Sequence, residues 1–440
     1  MRDLSFLQLN LIKQIKNLFK SKSFSSFEYS RLGYFYLCPF FITKGYSRIF
    51  FFFDKIKSLK IYFIASCKDL INLITFKEFK TINPKKINNY KSIIVNWARL
   101  NDFKSNGQFY DKYFNVSSNK CTNILWYLIY LDNILPRKLD KNIVLVRKEK
   151  ALFSLNNIKK ILLDVLFGKK KFILFNQEIS HFSVLASFVY NDFRKYINKN
   201  VKKIITPYEG QPFQNVVFKQ AHEVNKKIET VGYIHSFPIG LPTNLFKRPG
   251  HPKKLIVNGI SQQHSLSKFF GWKKKELRIL PSARLKKKLK YSMHNKIFLP
   301  IEFDDKRKII KALQELIISG SYDLSKFEVK NHPACYKSKK HNELIKLINI
   351  ILNSSVNRNN NQKKFSIFIG PTGSVIEALE RDLKVYHICE NPLIECYSKK
   401  IWKYINCVRI GDNLFEYSKI NSRKLLILDN YSNTFKRYVY

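Results

Sequence analysis

Three short stretches hold polar side chains in patterns that can do chemistry. The first is Thr206-Pro-Tyr-Glu-Gly-Gln-Pro212, in which Glu209 and Gly210 lie between an apolar run and a helical pattern opening at Pro212. A carboxylate there can act as a general base that takes a proton from a hydroxyl. It can equally serve only as an anion complementing the helix N-terminus. Gly210 permits a tight turn or a close approach of backbone to ligand. In the second stretch, Lys330-Asn-His-Pro-Ala334, His332 can hydrogen-bond a phosphate and, as imidazolium, offset its charge. Pro333 fixes that turn, although an isolated histidine also suits an ordinary surface or core position. The third, Ile369-Gly-Pro-Thr-Gly-Ser-Val375, reads as strand, turn and helix start. Gly370, Thr372, Gly373 and Ser374 with their N–H groups can cradle a phosphate; alternatively Ser374 is an N-cap worth about 1 kcal/mol to its helix. Because no Gly-Lys-Ser/Thr follows, a P-loop is excluded. His235 and Ser236 follow another apolar run and, with Tyr208 and Gly210, are cleft candidates, a structural role for the pair being the alternative.

The elements that must position these residues alternate in type. Short runs rich in β-branched residues occur at 92–97, 142–147, 172–175, 203–206, 230–234, 254–257, 296–300, 327–330, 365–369 and 384–388. Most are continuously apolar, as strands buried on both faces of a parallel sheet are. Helical patterns lie between them at 180–197, 212–224, 304–318, 342–352 and 374–380. The alternation predicts an α/β protein, and so many strands predict two sheets. The Pro- and Gly-rich stretch 238–252 marks the expected break. The expected organisation is an irregular extension, or the start of the first domain, over 1–85, a first Rossmann-like domain over 86–245 and a second over 246–440. The polar stretch 353–362 reads as a surface loop.

Composition narrows the class. With 440 residues, 45% of them hydrophobic, the chain can bury two cores. Its 79 Lys and Arg against 32 Asp and Glu leave a net charge of +47, which attracts nucleic acid, anionic lipid or acidic glycan. AT-rich codon usage explains part of the lysine excess. The basic residues are dispersed, and no helix-turn-helix, RNP-like or zinc-finger pattern accompanies them, so specific nucleic-acid binding is not expected. The seven cysteines form no CxxC pair and fit reduced thiols. No HExxH or DxD-like pair is present, the acidic pair at 304–305 suits a helix start, and neither metal nor cofactor is expected. The aromatic runs 34–42 and 49–53 are too short to cross a bilayer and fit core strands better than a membrane-dipping surface. No secretory signal is evident at the start, and with the reduced thiols a cytoplasmic location is the expectation.

Taken together, the acid-Gly loop, the His-Pro pair and the hydroxyl turn resemble the motifs of bacterial sialyltransferases, polysialyltransferases and capsule Kdo transferases of GT-B fold. The stretches Gly107-Gln-Phe-Tyr-Asp-Lys-Tyr-Phe114, Tyr208-Glu-Gly-Gln-Pro-Phe213 and Gly232-Tyr-Ile-His-Ser236 are similar to a family of surface-carbohydrate biosynthesis proteins. The resemblance spans roughly residues 90–415 through short motifs. It implies two Rossmann-like domains facing a cleft, Glu209 as base, and His332, Pro333, Gly370, Thr372, Gly373 and Ser374 around a CMP moiety. A nucleotide-sugar donor and a glycan or lipid-linked acceptor are the implied partners, worked on without metal. The basic surface would suit peripheral, salt-sensitive contact with an anionic inner membrane. Tyr208 stands where those families usually carry a first acid, which widens the donor beyond CMP-sialic acid. A glycerophosphotransferase using CDP-glycerol shares the same His-Pro and hydroxyl-turn logic and is the enzymatic alternative; a basic nucleic-acid-binding protein is the other.

Overall fold

The computed structural model describes residues 4–20, 79–82, 89–121, 123–148, 181–248, 250–286, 292–303, 305–320, 322, 324–354, 364–420 and 424–429. The expected strand at 172–175, the aromatic runs at 34–42 and 49–53, residue 304 and most of the polar stretch 353–362 lie outside them.

An α/β protein with two mostly parallel sheets results, as the alternating pattern predicts. The first sheet contains, in chain order, β1 (Phe79–Ile82), β2 (Ser92–Ala98), β3 (Ile124–Tyr130), β4 (Ile143–Lys148), β5 (Lys203–Pro207), β6 (Glu229–Tyr233), β7 (Lys254–Val257) and β8 (Leu277–Ile279). Their spatial order is β1-β4-β3-β2-β5-β6-β7-β8, and every neighbour is parallel except β1, which runs antiparallel to β4. From β4 to β7 this is Rossmann order, with chain direction across the sheet reversing between β2 and β5. At the centre, β3 is buried at every position, which is why its sequence ILWYLIY carries no alternation. The helices α1 (His181–Phe193) and α2 (Pro212–Val224) pack on each other beside this sheet. In α2, Phe213, Val216, Val217 and Ala221 share one buried face, and Pro212 stands in the first turn, where its missing N–H costs nothing.

The second sheet contains β9 (Lys296–Phe298), β10 (Glu328–Lys330), β11 (Phe365–Ile369), β12 (Lys384–Ile388), β13 (Ile405–Arg409) and β14 (Leu414–Lys419). Its order is β10-β9-β11-β12-β14-β13. The first four are parallel, whereas β14 runs antiparallel to both β12 and β13. Here the order reverses between β9 and β11, so the loops after those strands flank a second switch point. Helices Lys306–Gly320 and Lys339–Ser354 bury Ile309, Leu313, Leu316, Leu344 and Ile348 in this lobe's own core.

Two expectations about organisation need correction. The break foreseen at 245/246 falls inside the first lobe. Gly232 and Tyr233 pair in register with Leu255 and Ile256, and Leu277–Ile279 adds a further strand beyond. The intervening Pro- and Gly-rich stretch is therefore a loop rather than a linker. It docks on the second lobe, where Leu241 N–H donates to Ile394 O (2.8 Å) and Trp402 Nε1 donates to Gly240 O (2.6 Å). Nor is the start of the chain wholly irregular: Leu4–Lys20 is helical, and Gln8 Nε2 donates to Leu393 O (3.0 Å) and Cys396 O (2.9 Å) in the second lobe. Apolar burial continues across the lobes through Phe237, Leu241, Tyr397 and Trp402, which belong to the same core as the first sheet. No helix among the described residues is long and apolar enough to cross a membrane.

Candidate functional site

The loop after β5 is held by backbone ties that leave one carboxylate free to project. Gln214 Oε1 accepts the N–H groups of Glu209 and Gln211, each at 3.0 Å, while Gln214 Nε2 donates to Pro207 O at 2.5 Å. Asn244 Nδ2 donates to Glu209 O (2.5 Å), and Arg248 Nη2 donates to Gly210 O (3.2 Å). Gly210 has φ +67, and a Cβ there would collide with the Asn244 carbonyl oxygen, so both conformation and space require glycine. The Glu209 side chain keeps 36% of its surface exposed. Its Oε2 accepts from Gln211 Nε2 at 3.2 Å, and its Oε1 lies 3.4 Å from His235 Nε2. These contacts involve side chains, not the first N–H groups of α2, which separates the arrangement from simple helix capping. Tyr208, expected at the cleft, is a core residue instead. Its ring is buried and its hydroxyl donates to Asn215 Oδ1 at 2.9 Å, because alternation along the extended chain turns it inward.

His235 follows β6 and is almost fully buried, with the Tyr113 ring edge-on at 4.6 Å. Burial lowers its pKa to about 4, with Glu209 pulling upward and Arg284 pulling further down. The imidazole is therefore neutral near neutral pH, and its contact with Glu209 is no ion pair. His235 Nδ1 is buried and finds no partner among the described residues, while Ser236, next in the chain, is exposed. A depressed histidine pKa makes a signed prediction. Between pH 6.5 and about 4 the unfolded chain holds the proton that the folded one refuses. Stability from this group is complete above that window and is lost as pH falls through it, by about 3 kcal/mol. Melting curves of His235→Asn should be flatter than wild type across the window; parallel curves would contradict the buried neutral imidazole.

A cavity of about 330 Å³ opens beside Glu209. Its walls come from the ends of three adjacent strands: Trp97, Ala98 and Arg99 at β2, Leu131 after β3, and Glu209 with Gln211 after β5. That is the switch point of the first sheet, where open α/β sheets take ligands. Asp102, Lys112 and Tyr113 complete it. Buried Asp111 pins the loop bearing the last two, accepting from Asn96 Nδ2 (2.7 Å) on β2 and from the N–H groups of Tyr113 (2.8 Å) and Phe114 (3.1 Å). Burial pushes the Asp111 carboxyl up to about 6, against those three donors. Sequence reasoning missed Trp97, Arg99, Asp102 and Lys112 as site residues. Lys112 and Tyr113 lay within the quoted 107–114 stretch, the one signal available.

In the second lobe the expected hydroxyl turn follows β11. Gly370 has φ +66, and its carbonyl oxygen accepts from His387 Nε2 at 2.7 Å. Thr372 Oγ1 accepts the Ser374 N–H at 3.2 Å, and Thr372 O accepts from Tyr397 Oη at 3.0 Å. The expected cradle is accordingly smaller than foreseen. Two of its N–H groups are already engaged, that of Gly370 on Ile388 O (2.8 Å) and that of Ser374 on Thr372, the helix behind it (Ser374–Glu380) has only seven residues, and the Thr372 and Ser374 hydroxyls are what it offers. His332 precedes a 3₁₀ turn at Pro333–Cys335, and its carbonyl accepts the Cys335 N–H at 2.8 Å. Burial lowers its pKa, with His341 and Arg284 adding to the shift. The imidazolium foreseen from sequence is thus disfavoured, and the ring acts as a neutral hydrogen-bonding group.

The segment after β6 joins the two halves. His235 touches Glu209, Phe237 O abuts Gly373 so closely that a Cβ there would overlap it, and Pro238 O shares the Tyr397 hydroxyl with Thr372 O. Among the described residues no group of three or more His, Cys, Asp or Glu side chains could hold a metal ion.

No protein-family model and no curated protein matches the chain. Among solved structures it is similar to a glycosyltransferase from Rickettsia africae ESF-5, at 13% identity and TM-score 0.31, covering 68% of this chain and 79% of that one. A second is α,α-trehalose 6-phosphate synthase from Burkholderia multivorans, at 7% identity and TM-score 0.30, covering 60% of this chain and 68% of that one.

Proposed function

We propose that the protein is a glycosyltransferase that moves a sugar from a nucleotide-sugar, CMP-linked in the first instance, to a hydroxyl of a surface polysaccharide or glycolipid. One observation carries this reading. The Glu209 carboxylate opens on a cavity at a Rossmann switch point, and the segment that touches it also abuts the hydroxyl turn of the second lobe. The acceptor would occupy the cavity, with the rings of Trp97 and Tyr113 offering apolar faces to a sugar. Glu209 takes the acceptor hydroxyl proton as the new bond from oxygen to the anomeric carbon forms. The bond from that carbon to the donor phosphate oxygen breaks, and its electron pair leaves on the nucleotide. His332 and the hydroxyls of Thr372 and Ser374 hydrogen-bond that phosphate. His235, neutral and held by Tyr113, fixes the direction of the carboxylate.

The donor class is open to direct test. Product nucleotide should raise the melting temperature, because it binds only the folded chain. CMP should do so more than UDP, GDP or CDP, and His332→Ala should shrink the CMP shift. If CDP-glycerol turned over and CMP-sugars did not, the reaction would be glycerophosphate transfer instead; an unchanged CMP shift in His332→Ala would remove that residue from the site.

A further inference from the structure

Two thiols meet where the second lobe receives the first. Cys396 follows the short helix Pro392–Glu395 and is buried, whereas Cys407 stands on β13, an edge strand of its sheet, and is partly exposed. Their Sγ atoms are 3.4 Å apart, in contact but unbonded. The strand ladder accounts for the meeting. Cys407 pairs in register with Tyr417 on β14, and the Tyr417 hydroxyl donates to Cys396 Sγ at 3.2 Å. Cys389, the neighbouring thiol, lies instead 3.3 Å from His387 Nδ1. Cys396 is also tied to both junctions between the lobes. Its carbonyl oxygen accepts from Gln8 Nε2, and a Cβ on Gly240 would lie 2.2 Å from that oxygen. The next residue is Tyr397, whose N–H donates to Tyr417 Oη (3.2 Å) and whose hydroxyl faces Pro238 O (2.8 Å) and Thr372 O (3.0 Å). The thiol pair is thus one residue from the contact that joins the hydroxyl turn to the first lobe.

We propose that Cys396 and Cys407 are a redox site, which a hydroperoxide closes into a disulfide and whose closure loosens the hydroxyl turn. Cys407, the partly exposed thiol, is oxidised first. Its sulfur takes one oxygen of the peroxide and becomes a sulfenic acid, while the other oxygen leaves as water or alcohol. Cys396 sulfur then attacks Cys407 sulfur. The S–S bond forms, the S–O bond breaks, and the departing hydroxide leaves as water with the Cys396 proton. Two thiols have lost two electrons to the peroxide, and a dithiol returns them. A disulfide holds its sulfurs about 2.05 Å apart, so the pair must close by roughly 1.3 Å. Drawing Cys396 toward the edge strand pulls Tyr397 with it and takes the Tyr397 hydroxyl from Thr372 O. The cross-link and the loosened turn stand apart from the nucleotide-donor reading; only their consequence for donor binding rests on it.

Peptide mass mapping of the full chain after hydrogen peroxide and thiol blocking tests the bond. Wild type should yield Cys396 joined to Cys407, lighter by two hydrogens, and dithiothreitol should undo it. Cys396→Ser should instead leave Cys407 to run on to the sulfinic acid. Amide hydrogen exchange over 370–376 tests the turn without any nucleotide. It should quicken about tenfold in oxidised wild type, the scale of one lost hydrogen bond, and stay unchanged when Cys407→Ser is treated alike. Melting temperatures check that the variants fold, and Cys407→Ala serves if the serine variant does not. In wild type, Cys407 oxidised to sulfinic acid beside an intact Cys396 thiol, or either one joined to another of the seven cysteines, would overturn the site. A clean cross-link with unchanged exchange would overturn its effect on the turn. CMP titration then separates this proposal from the donor reading. Oxidation should weaken CMP binding reversibly, whereas a reduced wild type that bound no CMP would sink the donor reading and leave the redox site standing.

Discussion

Replacing Glu209 by Gln should cut turnover by about 10²-fold or more while leaving nucleotide affinity within twofold of wild type. The amide has the size of the carboxylate and can still accept from Gln211 Nε2, but it cannot take a proton. The loop does not depend on the carboxylate for its shape: Gln214, Asn244 and Arg248 hold it through the backbone. Stability should therefore change little, and the loss should appear in kcat. Single-turnover transfer measured beside CMP titration distinguishes this from a binding defect. Full turnover in Glu209→Gln would remove the base. A loss of CMP affinity as large as the loss of turnover would place Glu209 at the donor instead.

Gly373→Ala should have an effect as large by a different route. The backbone at Gly373 is ordinary, with φ −79 and ψ −10, so conformational strain is not at issue. Space is. A Cβ would overlap Phe237 O and lie 2.9 Å from the Phe237 carbonyl carbon, all of it backbone with no side chain to swing aside. The second lobe's turn must then retreat from the 235–238 segment by roughly 1 Å, a displacement that can cost about 10²-fold in rate when reacting groups are misplaced. Overpacking adds a loss of about 1–3 kcal/mol in stability. The signature differs from that of Glu209→Gln, since melting temperature, donor KM and kcat should all move together. Wild-type kinetics in Gly373→Ala would show that the close approach of the lobes does not matter to the reaction.

What the sequence makes legible is mostly local. Pro212–Val224, Lys254–Val257, Phe365–Ile369, Ser374–Glu380 and Lys384–Ile388 end where their patterns end, because caps, glycines and charged flanks punctuate them. Ile124–Tyr130 was not foreseen as a strand, although it is an unbroken apolar run like those that were; at seven residues such a run also fits a buried helix segment, and only its neighbours on both sides of the sheet decide between the two. The misplaced domain break has a similar origin. Prolines and glycines report a loop, but whether a loop separates lobes or lies across them is decided by which strands pair beyond it. Glu209 was legible because strand, Gly and helix start surround it. Tyr208 next to it was not, since one step along an extended chain reverses the face.

Crystals of Glu209→Gln grown with CMP would test most directly whether one crevice serves both lobes. The account predicts the nucleotide phosphate between His332 and the Thr372 and Ser374 hydroxyls, with contacts of roughly 3 Å, and its free oxygens turned toward the carboxamide at 209. Nucleotide seated on an outer face, or in the first-lobe cavity with the 370–374 turn empty, would contradict it.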